Sequence, residues 1–389
     1  MNICFICPEY PEGPHGGVGT MTRVLARELV RMGNEVRVIG VYPESYPSPD
    51  YEEDQGVKVW RVRSKKGKFG WIGAWRKQYK IVRKWANEKE IEIVEAPDSC
   101  GWFGLWRNIG VPLVLRSNGS NTYFAKVLNY KPNRLTKFLE SSSYKKAFQY
   151  ISASMFTAIE TQKVFNLKKD FTIIYNGIEI PKIENNLDST KRHKNKIVFA
   201  GTLIEKKGVV ELVKAAKILH KENIEFVLEI YGKDTVTPER GSMIDFLSKN
   251  LSEEIRKKII FKGHVTREEL FQLYQNATCA IYPSYAEAFA LAPLEAMACA
   301  CPVINTKLGS GCELIVNNEE GLLIDPREPA EIANALKKVI SEPEFASKIG
   351  SNGLKKVKNS FSKEVMAEQT ISCFQKTISD YNIKFGITE

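Results

Sequence analysis

The sequence predicts an α/β protein with two Rossmann-like domains, and three observations support this fold class. Short apolar strands alternate with helical segments along most of the 389-residue chain, which is the pattern of parallel sheets covered by helices. A polar stretch at residues 180–195 separates two such series. The length is sufficient for two domains with separate cores. The predicted domains are residues 1–185 and 193–362.

The first domain is expected to open on a strand, a glycine-rich turn and a helix. An apolar run predicts the strand at residues 2–8, and the turn follows at residues 11–20. Apolar residues at helical spacing predict a helix over residues 20–32, which Gly33 would end. Residues 36–41 then predict the next strand. This β–turn–α–β order is typical of a Rossmann-like unit.

The glycine-rich turn is not a dinucleotide fingerprint. Gly17 and Gly19 are not followed by the third glycine that the fingerprint requires, and no Gly-Lys-Ser/Thr sequence is present there. Two interpretations remain for Gly16 and Gly17. They form a tight turn, or they allow the backbone to pass close to a ligand.

The remaining elements follow at α/β spacing. Residues 43–56, rich in proline and acidic residues, predict a loop. The other strands expected in the first domain are residues 57–62, 91–96, 111–116, 150–153 and 171–175. In the second domain, strands are expected at residues 196–200, 225–231, 258–261, 279–283 and 302–305, and helices at 208–220, 241–257, 267–276 and 291–299.

Composition restricts the class of protein. The formal net charge is +10, and residues 1–190 carry most of it, with 28 Lys/Arg against 20 Asp/Glu. An anionic partner is therefore expected to meet the first half. The start of the chain lacks the basic and long apolar regions of a secretory signal, so a cytoplasmic location is expected. Most of the eight cysteines lie in apolar runs, which favours small buried side chains over metal or redox sites.

The segment from Arg61 to Lys89 combines eleven basic residues with aromatic side chains. Trp71, Trp75 and Tyr79 recur every four positions and would form one stripe on a helix. Such a helix suits peripheral contact with the inner face of an anionic membrane. Alternatively, the stripe faces the core and the basic side chains face solvent. No nucleic-acid-binding module is visible, so a nucleic acid partner is not expected.

The most informative stretch is residues 282–298, a strand end, a loop and a helix. Glu287 lies on the loop and Glu295 lies eight positions later, inside the helix. Pro293 fits the first helical turn, where its missing N–H costs little. The N–H groups of a helix start can hold phosphate, and carboxylates can accept hydrogen bonds from hydroxyls. The stretch therefore indicates a site for an anion and a polyol, or else a buried helix flanked by two solvated glutamates.

Motifs along nearly the whole chain resemble those of glycosyltransferase family 4, the retaining, nucleotide-sugar-dependent enzymes of GT-B fold. The clearest is Glu287-Ala-Phe-Ala-Leu-Ala-Pro-Leu-Glu295. The others, in family order, are Gly16-Gly-Val-Gly19, Arg31-Met-Gly-Asn-Glu-Val36, Tyr175-Asn-Gly-Ile-Glu179, Ala200-Gly-Thr-Leu-Ile-Glu-Lys-Lys-Gly208, Gly263-His-Val265 and Asn318-Glu-Glu-Gly-Leu-Leu-Ile-Asp-Pro326. The resemblance implies two Rossmann-like domains that face each other across a donor-binding cleft. It also implies that a final helix, residues 363–385, packs back on the first domain.

The resemblance also implies roles for individual residues. Glu287 and Lys207 would be catalytic, with Glu287 on the transferred sugar and Lys207 on the diphosphate. No metal ion or other cofactor is expected, since the nucleotide sugar is a co-substrate. The implied donor-binding residues are Gly17, Gly201, Thr202, Gly232, Val265, Phe289, Ala290, Leu291 and Glu295. The implied acceptor-binding residues are His15, Gly16 and Asn118.

Five positions depart from the family pattern. Thr202 replaces a common arginine, and Asn118 replaces a common histidine near the transferred sugar. Ala288 and Ala290 replace glycines, so we expect that their loop runs through ordinary φ/ψ space. Ala300 replaces another glycine, and this is expected to be only a packing change.

These features predict a retaining glycosyltransferase that uses a UDP-sugar, or alternatively a GDP-sugar. The acceptor is predicted to be a saccharide, held by the basic first half and carried on a lipid, in cell-surface polysaccharide synthesis. A soluble acceptor such as an antibiotic aglycone is an alternative. Thr202 and Asn118 leave open a non-catalytic relative that only binds nucleotide sugar or glycan.

Overall fold

The structure, a computed structural model, describes residues 1–100, 103–181, 192, 194–238, 240–249 and 251–387. The chain forms two compact units. Unit 1 comprises Met1–Glu179 and Ser362–Glu389, and unit 2 comprises Ile180–Phe361. Residues 182–191 and 193 of the expected linker lie outside the described residues.

Unit 1 is built on an eight-stranded sheet with the order β3-β4-β2-β1-β5-β6-β7-β8. All neighbouring strands are parallel except β3 and β4. The strands are β1 Asn2–Ile6, β2 Glu35–Pro43, β3 Tyr51–Asp54, β4 Val57–Ser64, β5 Ile93–Pro97, β6 Leu113–Ser117, β7 Gln149–Ser152 and β8 Thr172–Ile173.

The α-helices of unit 1 are α1 Gly17–Arg31, α2 Lys68–Asn87, α3 Asn121–Val127, α4 Arg134–Lys146, α5 Met155–Phe165 and the C-terminal Lys363–Phe385, numbered α14 in chain order. Helix α14 packs against α1 and the sheet, where the rings of Phe374 and Phe5 are 6.3 Å apart. The two segments of unit 1 approach each other closely at Gly177. A Cβ there would lie 2.4 Å from the carbonyl oxygen of Ser362, so only glycine allows this approach.

Unit 2 contains a six-stranded parallel sheet with the order β13-β10-β9-β14-β15-β16. Its strands are β9 Lys196–Ala200, β10 Val227–Tyr231, β13 Ile259–Gly263, β14 Cys279–Tyr282, β15 Val303–Thr306 and β16 Leu322–Ile324, and a separate hairpin is formed by β11 Val236–Thr237 and β12 Gly241–Ser242. Its α-helices are α6 Val209–Lys221, α7 Met243–Ser248, α8 Glu253–Arg256, α9 Arg267–Asn276, α10 Leu291–Ala298, α11 Gly311–Leu314, α12 Pro329–Ser341 and α13 Pro343–Ser360.

Strand order fixes where a ligand can bind in each sheet. In unit 2, β9 is followed along the chain by β10 on one side, and β14 pairs with its other side. In unit 1, β1 is flanked in the same way by β2 and β5. The order of connections reverses at these points, and ligands bind outside the carboxyl ends of the strands there. Both predicted Rossmann-like sheets are therefore present, each with its own switch point.

Three predicted elements were wrong in detail. Helix α1 begins at Gly17 and not at Thr20, so part of the glycine-rich turn forms the first helical turn. The predicted loop at 43–56 contains strand β3, because the β4 residues pair with it in an antiparallel ladder. The single helix predicted at 241–257 is two short helices. Ser242 caps the start of α7 and Ser252 caps the start of α8.

Candidate active site

Lys207 and Glu287 meet at the switch point of unit 2. Lys207 ends a short 3₁₀ turn, Glu205–Lys207, which follows β9, and Glu287 lies on the loop after β14. The Lys207 ammonium and the Glu287 carboxylate form an ion pair, and both side chains are partly exposed. The predicted catalytic pair is thus held at the carboxyl ends of two adjacent strands.

Backbone contacts fix this arrangement. Gly208 has φ +71°, and a Cβ on it would lie 1.8 Å from the carbonyl oxygen of Pro283. The N–H of Tyr285 donates to the carbonyl oxygen of Lys206 over 2.8 Å. The lysine turn therefore lies directly against the Glu287 loop, and a side chain at position 208 would push the two apart.

Lys206 adds a second cation beside Glu287. Burial lowers the pKa of Lys206, the Glu287 carboxylate opposes that effect, and Lys207 adds to it. Without the negative charge of Glu287, the positive charges of Lys206 and Lys207 would repel each other with less opposing charge nearby. The three side chains therefore form one electrostatic unit that favours an anion nearby.

Helix α10 starts next to this unit without a side-chain cap. Its preceding residue, Ala290, has φ −83° and ψ 126°. Ala288 is absent from the non-glycine residues with positive φ among those that the structure describes. The prediction that this loop uses ordinary φ/ψ space is confirmed. The amides of Phe289, Ala290 and Leu291 thus belong to a helix start suited to an anion.

The Phe289 side chain is buried, and its ring packs 5.7 Å from the ring of Phe361. The structure thus gives this ring a packing contact within unit 2.

Glu295 is held by a partner that sequence reasoning missed. Arg267, at the start of α9, donates from Nε to Glu295 Oε1 over 2.8 Å. Burial raises the pKa of Glu295, and the Arg267 guanidinium opposes that rise. A second guanidinium nitrogen, Arg267 Nη2, is buried and has no hydrogen-bond partner within the described part of the chain. The only sequence signal for Arg267 is its place just after the Gly263-His-Val265 motif.

A cavity of about 270 Å³ brings together four of the predicted donor-binding residues. Gly201, Thr202, Gly232 and Val265 all line it, at the carboxyl ends of β9, β10 and β13. Sequence reasoning missed the other lining residues, which include Ala200, Tyr231, Lys233, His264, Leu270 and Ala292.

Glycine is required at position 232 of this cavity. Gly232 has φ +146°, and a Cβ there would lie 1.9 Å from the carbonyl oxygen of Gly201. The Gly232 N–H donates to the carbonyl oxygen of Gly263 over 2.8 Å. Gly232 therefore brings the end of β10 against the ends of β9 and β13.

In unit 1, His15, Gly16 and Gly17 form an exposed group at the start of α1. The His15 ring bonds to the carbonyl oxygen of Gly13, with Nδ1 2.6 Å away. A Cβ on Gly17 would meet nothing within 4 Å. The close approach is instead at Gly19, where a Cβ would lie 2.0 Å from the carbonyl oxygen of Glu9. Gly17 thus leaves open space beside a helix start.

Asn118 lies at the carboxyl end of β6 in unit 1 and has two polar neighbours that the sequence did not reveal. Its N–H donates to Asp98 Oδ1 over 3.1 Å, and its Oδ1 accepts from Asn176 Nδ2 over 3.3 Å. Asp98 also accepts from the Tyr144 hydroxyl over 3.2 Å. Burial raises the pKa of Asp98 to about 7. Asn176 belongs to the Tyr175–Glu179 motif, and Asp98 follows β5 directly.

Two predictions about other residues need correction. Ala300 is not a simple packing change, because its φ is +52°, a conformation that favours glycine. Arg61 does not belong to an exposed basic surface. Its guanidinium is buried, forms an ion pair with Glu52, and donates to the carbonyl oxygen of Pro11 over 3.0 Å.

Two members of the aromatic stripe of α2, Trp75 and Tyr79, pack against the core, as one of the two interpretations of the stripe predicted. The rings of Trp75 and Tyr79 lie 6.3 Å and 5.4 Å from the ring of Trp106. No helix in the described part of the chain combines the length and apolar composition needed to span a bilayer.

Comparisons with known proteins agree with this geometry. Residues 15–181 match glycosyltransferase family 4, and residues 182–356 match the glycosyl transferases group 1. An uncharacterised glycosyltransferase of Methanocaldococcus jannaschii, MJ1607, is 27% identical over 96% of this chain and 98% of its own. The capsular polysaccharide biosynthesis glycosyltransferase CapM of Staphylococcus aureus is 27% identical over 53% of this chain and 54% of its own.

Solved structures show the same fold. Sucrose-phosphate synthase from Thermosynechococcus elongatus superposes with a TM-score of 0.79 at 19% identity, covering 97% of this chain and 99% of that one. Anabaena Alr3699/HepE in complex with UDP and glucose gives a TM-score of 0.75 at 17% identity, covering 96% and 99%.

The two sheets, parallel in every pair except β3–β4, have the GT-B fold of these solved structures. The chain belongs to glycosyltransferase family 4, with the group 1 glycosyltransferase domain in its second half.

Proposed function

We propose that this glycosyltransferase moves a sugar from a nucleotide-diphosphate sugar to a saccharide acceptor with retention of anomeric configuration. A UDP-sugar is the favoured donor, and the acceptor is a lipid-linked glycan intermediate of cell-surface polysaccharide synthesis. The observation that carries the proposal is the Lys207–Glu287 ion pair beside the uncapped start of α10.

The chemistry requires positive charge where the leaving group forms. When the bond between the anomeric carbon and the phosphate oxygen breaks, its electron pair passes to the departing nucleoside diphosphate. Lys207 and the N–H groups at the start of α10 would stabilise that growing charge more than the ground state. Glu287 would accept hydrogen bonds from hydroxyls of the transferred sugar.

Retention follows if the acceptor hydroxyl attacks from the face that the diphosphate leaves, through an oxocarbenium-like state. The bond from the acceptor oxygen to the anomeric carbon forms on that face. The acceptor proton passes to the departing phosphate oxygen. In this scheme the enzyme forms no covalent bond to the sugar.

The donor nucleotide would use the cavity lined by Gly201, Thr202, Gly232 and Val265. Glu295 would accept the ribose hydroxyls, and Arg267 would orient its carboxylate through the hydrogen bond from Nε. Lys207 and Lys206 provide the cationic charge that a metal ion would otherwise supply, so the reaction is proposed to need no metal.

The acceptor would be bound by unit 1, through His15, Gly16 and Asn118. The basic excess of residues 1–190 favours an anionic acceptor such as a diphosphate-linked glycan. The similarity to CapM, whose name refers to capsular polysaccharide biosynthesis, supports a cell-surface glycan. Location at the inner membrane face, through the exposed basic side chains of α2, belongs to the same proposal.

Thermal stabilisation by UDP, GDP, ADP and dTDP tests the donor, because a ligand that binds only the folded state raises the melting temperature. UDP is expected to give the largest shift. Transfer from UDP-sugars to short-chain polyprenyl-diphosphate glycans then tests the reaction, and NMR of the product tests retention. Binding of UDP without either transfer or donor hydrolysis would favour a non-catalytic relative instead.

A further inference from the structure

A second cavity lies in unit 1, at the opposite edge of the sheet from Asn118 and Asp98. Its volume is about 620 Å³, which is in the range of small-molecule sites, about 300–1,000 Å³. It is lined near the amino ends of β6 and β7, by Leu113 and Tyr150, and by the C-terminal part of α14. It is therefore separate from the carboxyl edge, where the acceptor residues lie.

Two lysines share one aromatic ring in this cavity. Lys169 Nζ lies 5.0 Å from the centre of the Phe148 ring, and Lys384 Nζ lies 5.4 Å from the same centre. Lys169 also lies 5.5 Å from the ring of Tyr150. Both ammonium groups are thus positioned over aromatic faces, where cations are attracted to the ring.

Neither lysine is paired with a carboxylate of the described residues. Within the part of the chain that the structure describes, neither Lys169 nor Lys384 makes an ion pair, and the cavity lining includes no Asp or Glu. Burial lowers the pKa of Lys169, Lys384 adds to that effect, and Asp380 opposes it. An anion that binds between two cations held together in this way offsets their repulsion and lowers the free energy.

The cavity also offers aromatic surface. Trp106 lines it, and its buried indole N–H has no hydrogen-bond partner among the residues that the structure describes. Tyr381 and Phe385 continue the aromatic lining, with rings 4.6 Å apart. A ligand with an apolar or aromatic body could therefore pack on these rings while its anionic group meets the lysines.

We propose that this cavity is a second ligand site for a phosphate group joined to an apolar or aromatic body, bound between Lys169 and Lys384. Lysine binds phosphate as a compact point charge, and two of them match a dianion. The body packs against Phe148, Tyr381 and Phe385. The ligand is either a soluble phosphorylated compound or the headgroup of an anionic phospholipid. The proposal does not depend on the transferase reaction.

Two probes distinguish the sources. Calorimetric titration with phenyl phosphate represents the soluble ligand, with inorganic phosphate as the comparison that lacks an apolar body. Co-sedimentation with phosphatidylglycerol vesicles, against phosphatidylcholine vesicles, represents the lipid. The wild-type chain is expected to bind phenyl phosphate more tightly than inorganic phosphate if the source is soluble, or to co-sediment only with the anionic vesicles if the source is lipid.

Variants locate the site. Lys169→Gln and Lys384→Gln are each expected to weaken the observed binding about tenfold or more, since each removes one charged hydrogen bond to the phosphate. Lys169→Arg keeps the charge and should retain most of the binding. The matched control is Lys163→Gln, which removes the same charge from an exposed pair with Glu160. Circular dichroism checks that each variant is folded.

The proposal is overturned if the wild-type chain binds neither phenyl phosphate nor phosphatidylglycerol vesicles. It is also overturned if the folded double variant Lys169→Gln/Lys384→Gln binds as well as the Lys163→Gln control. Loss of binding in the double variant with retention in the control supports the site.

Discussion

Lys207 and Glu287 are 80 residues apart in sequence and form an ion pair. Each follows a different strand, β9 or β14, and these two strands are neighbours in the sheet. The ion pair therefore forms because the sheet of unit 2 places β14 directly beside β9, on the side away from β10. A lysine beside a turn glycine and a glutamate on a loop have little meaning separately, but together they form a charged site next to a helix start.

Replacing Lys207 should reduce catalysis much more than donor binding. Lys207→Met is expected to lower kcat by about 10²–10³-fold, the loss typical of removing one donor that stabilises transition-state charge. Steady-state kinetics with the donor identified by thermal shift would measure this. The control is Lys214→Met, on the exposed face of α6. An equal loss in both variants would contradict a specific role for Lys207.

Glu287→Gln keeps the shape of the side chain and removes its charge. The carboxylate accepts hydroxyl hydrogen bonds in the proposed complex, and a charged hydrogen bond contributes about 1.5–3 kcal/mol. Turnover is therefore expected to fall by about tenfold or more, and Glu287→Ala should be worse. Turnover at the wild-type level in Glu287→Ala would show that the catalytic assignment is incorrect.

Arg267 should govern how the stability of unit 2 depends on pH. The folded-state pKa of Glu295 is raised by burial, so its contribution to stability is present when it is protonated and decreases as pH rises. Arg267→Met removes the opposing charge and raises that pKa further. The variant is expected to lose stability more steeply than wild type between acidic and neutral pH, as measured by urea unfolding.

The matched control for this prediction is the double variant Arg267→Met/Glu295→Gln. It no longer carries the titrating carboxylate, so the added pH dependence should disappear. If the double variant keeps the steeper slope, another group is responsible for it.

The sequence was most informative about features that depend on the order of neighbouring residues along the chain. Strand–helix alternation predicted both sheets, and the motif around Glu287 predicted the loop and helix α10. It could not reveal Arg267 or Asp98, because each acquires its role from a partner 28 or 20 residues away. The conformation of Ala300 was also hidden, since alanine gives no indication of a positive φ.

Ala300→Gly should stabilise the protein. Ala300 has φ +52°, and a non-glycine residue in the left-handed region costs about 1–2 kcal/mol. Part of that gain is offset because glycine loses more entropy on folding, so a net increase of about 0.5–1 kcal/mol in unfolding free energy is expected. Ala298→Gly, inside helix α10, is the control and should be destabilising.

Glycine substitutions should separate a folding requirement from a ligand requirement. Gly232→Ala places a Cβ 1.9 Å from the Gly201 carbonyl oxygen, so the nucleotide cavity should distort and UDP stabilisation should be lost.

The Cβ added by Gly17→Ala meets nothing within 4 Å, so the melting temperature of this variant should match wild type. If Gly17 contacts the donor, the transfer activity of the Gly17→Ala variant should nevertheless fall. Wild-type activity in Gly17→Ala would remove Gly17 from the site.

Asp98 should make the stability of unit 1 depend on pH in a defined window. Its pKa is raised from 3.8 to about 7 by burial. The native state therefore binds a proton that the unfolded chain releases near pH 4. The resulting stabilisation is complete below about pH 4 and is lost as the pH rises towards 7. Asp98→Asn keeps the shape of the side chain without its ionisation. Urea unfolding from pH 4 to 8 should show a weaker decrease in the variant than in wild type. Because Asp98 also accepts from the Asn118 N–H, an unchanged slope would indicate that the carboxylate stays ionised and serves only to hold the Asn118 backbone.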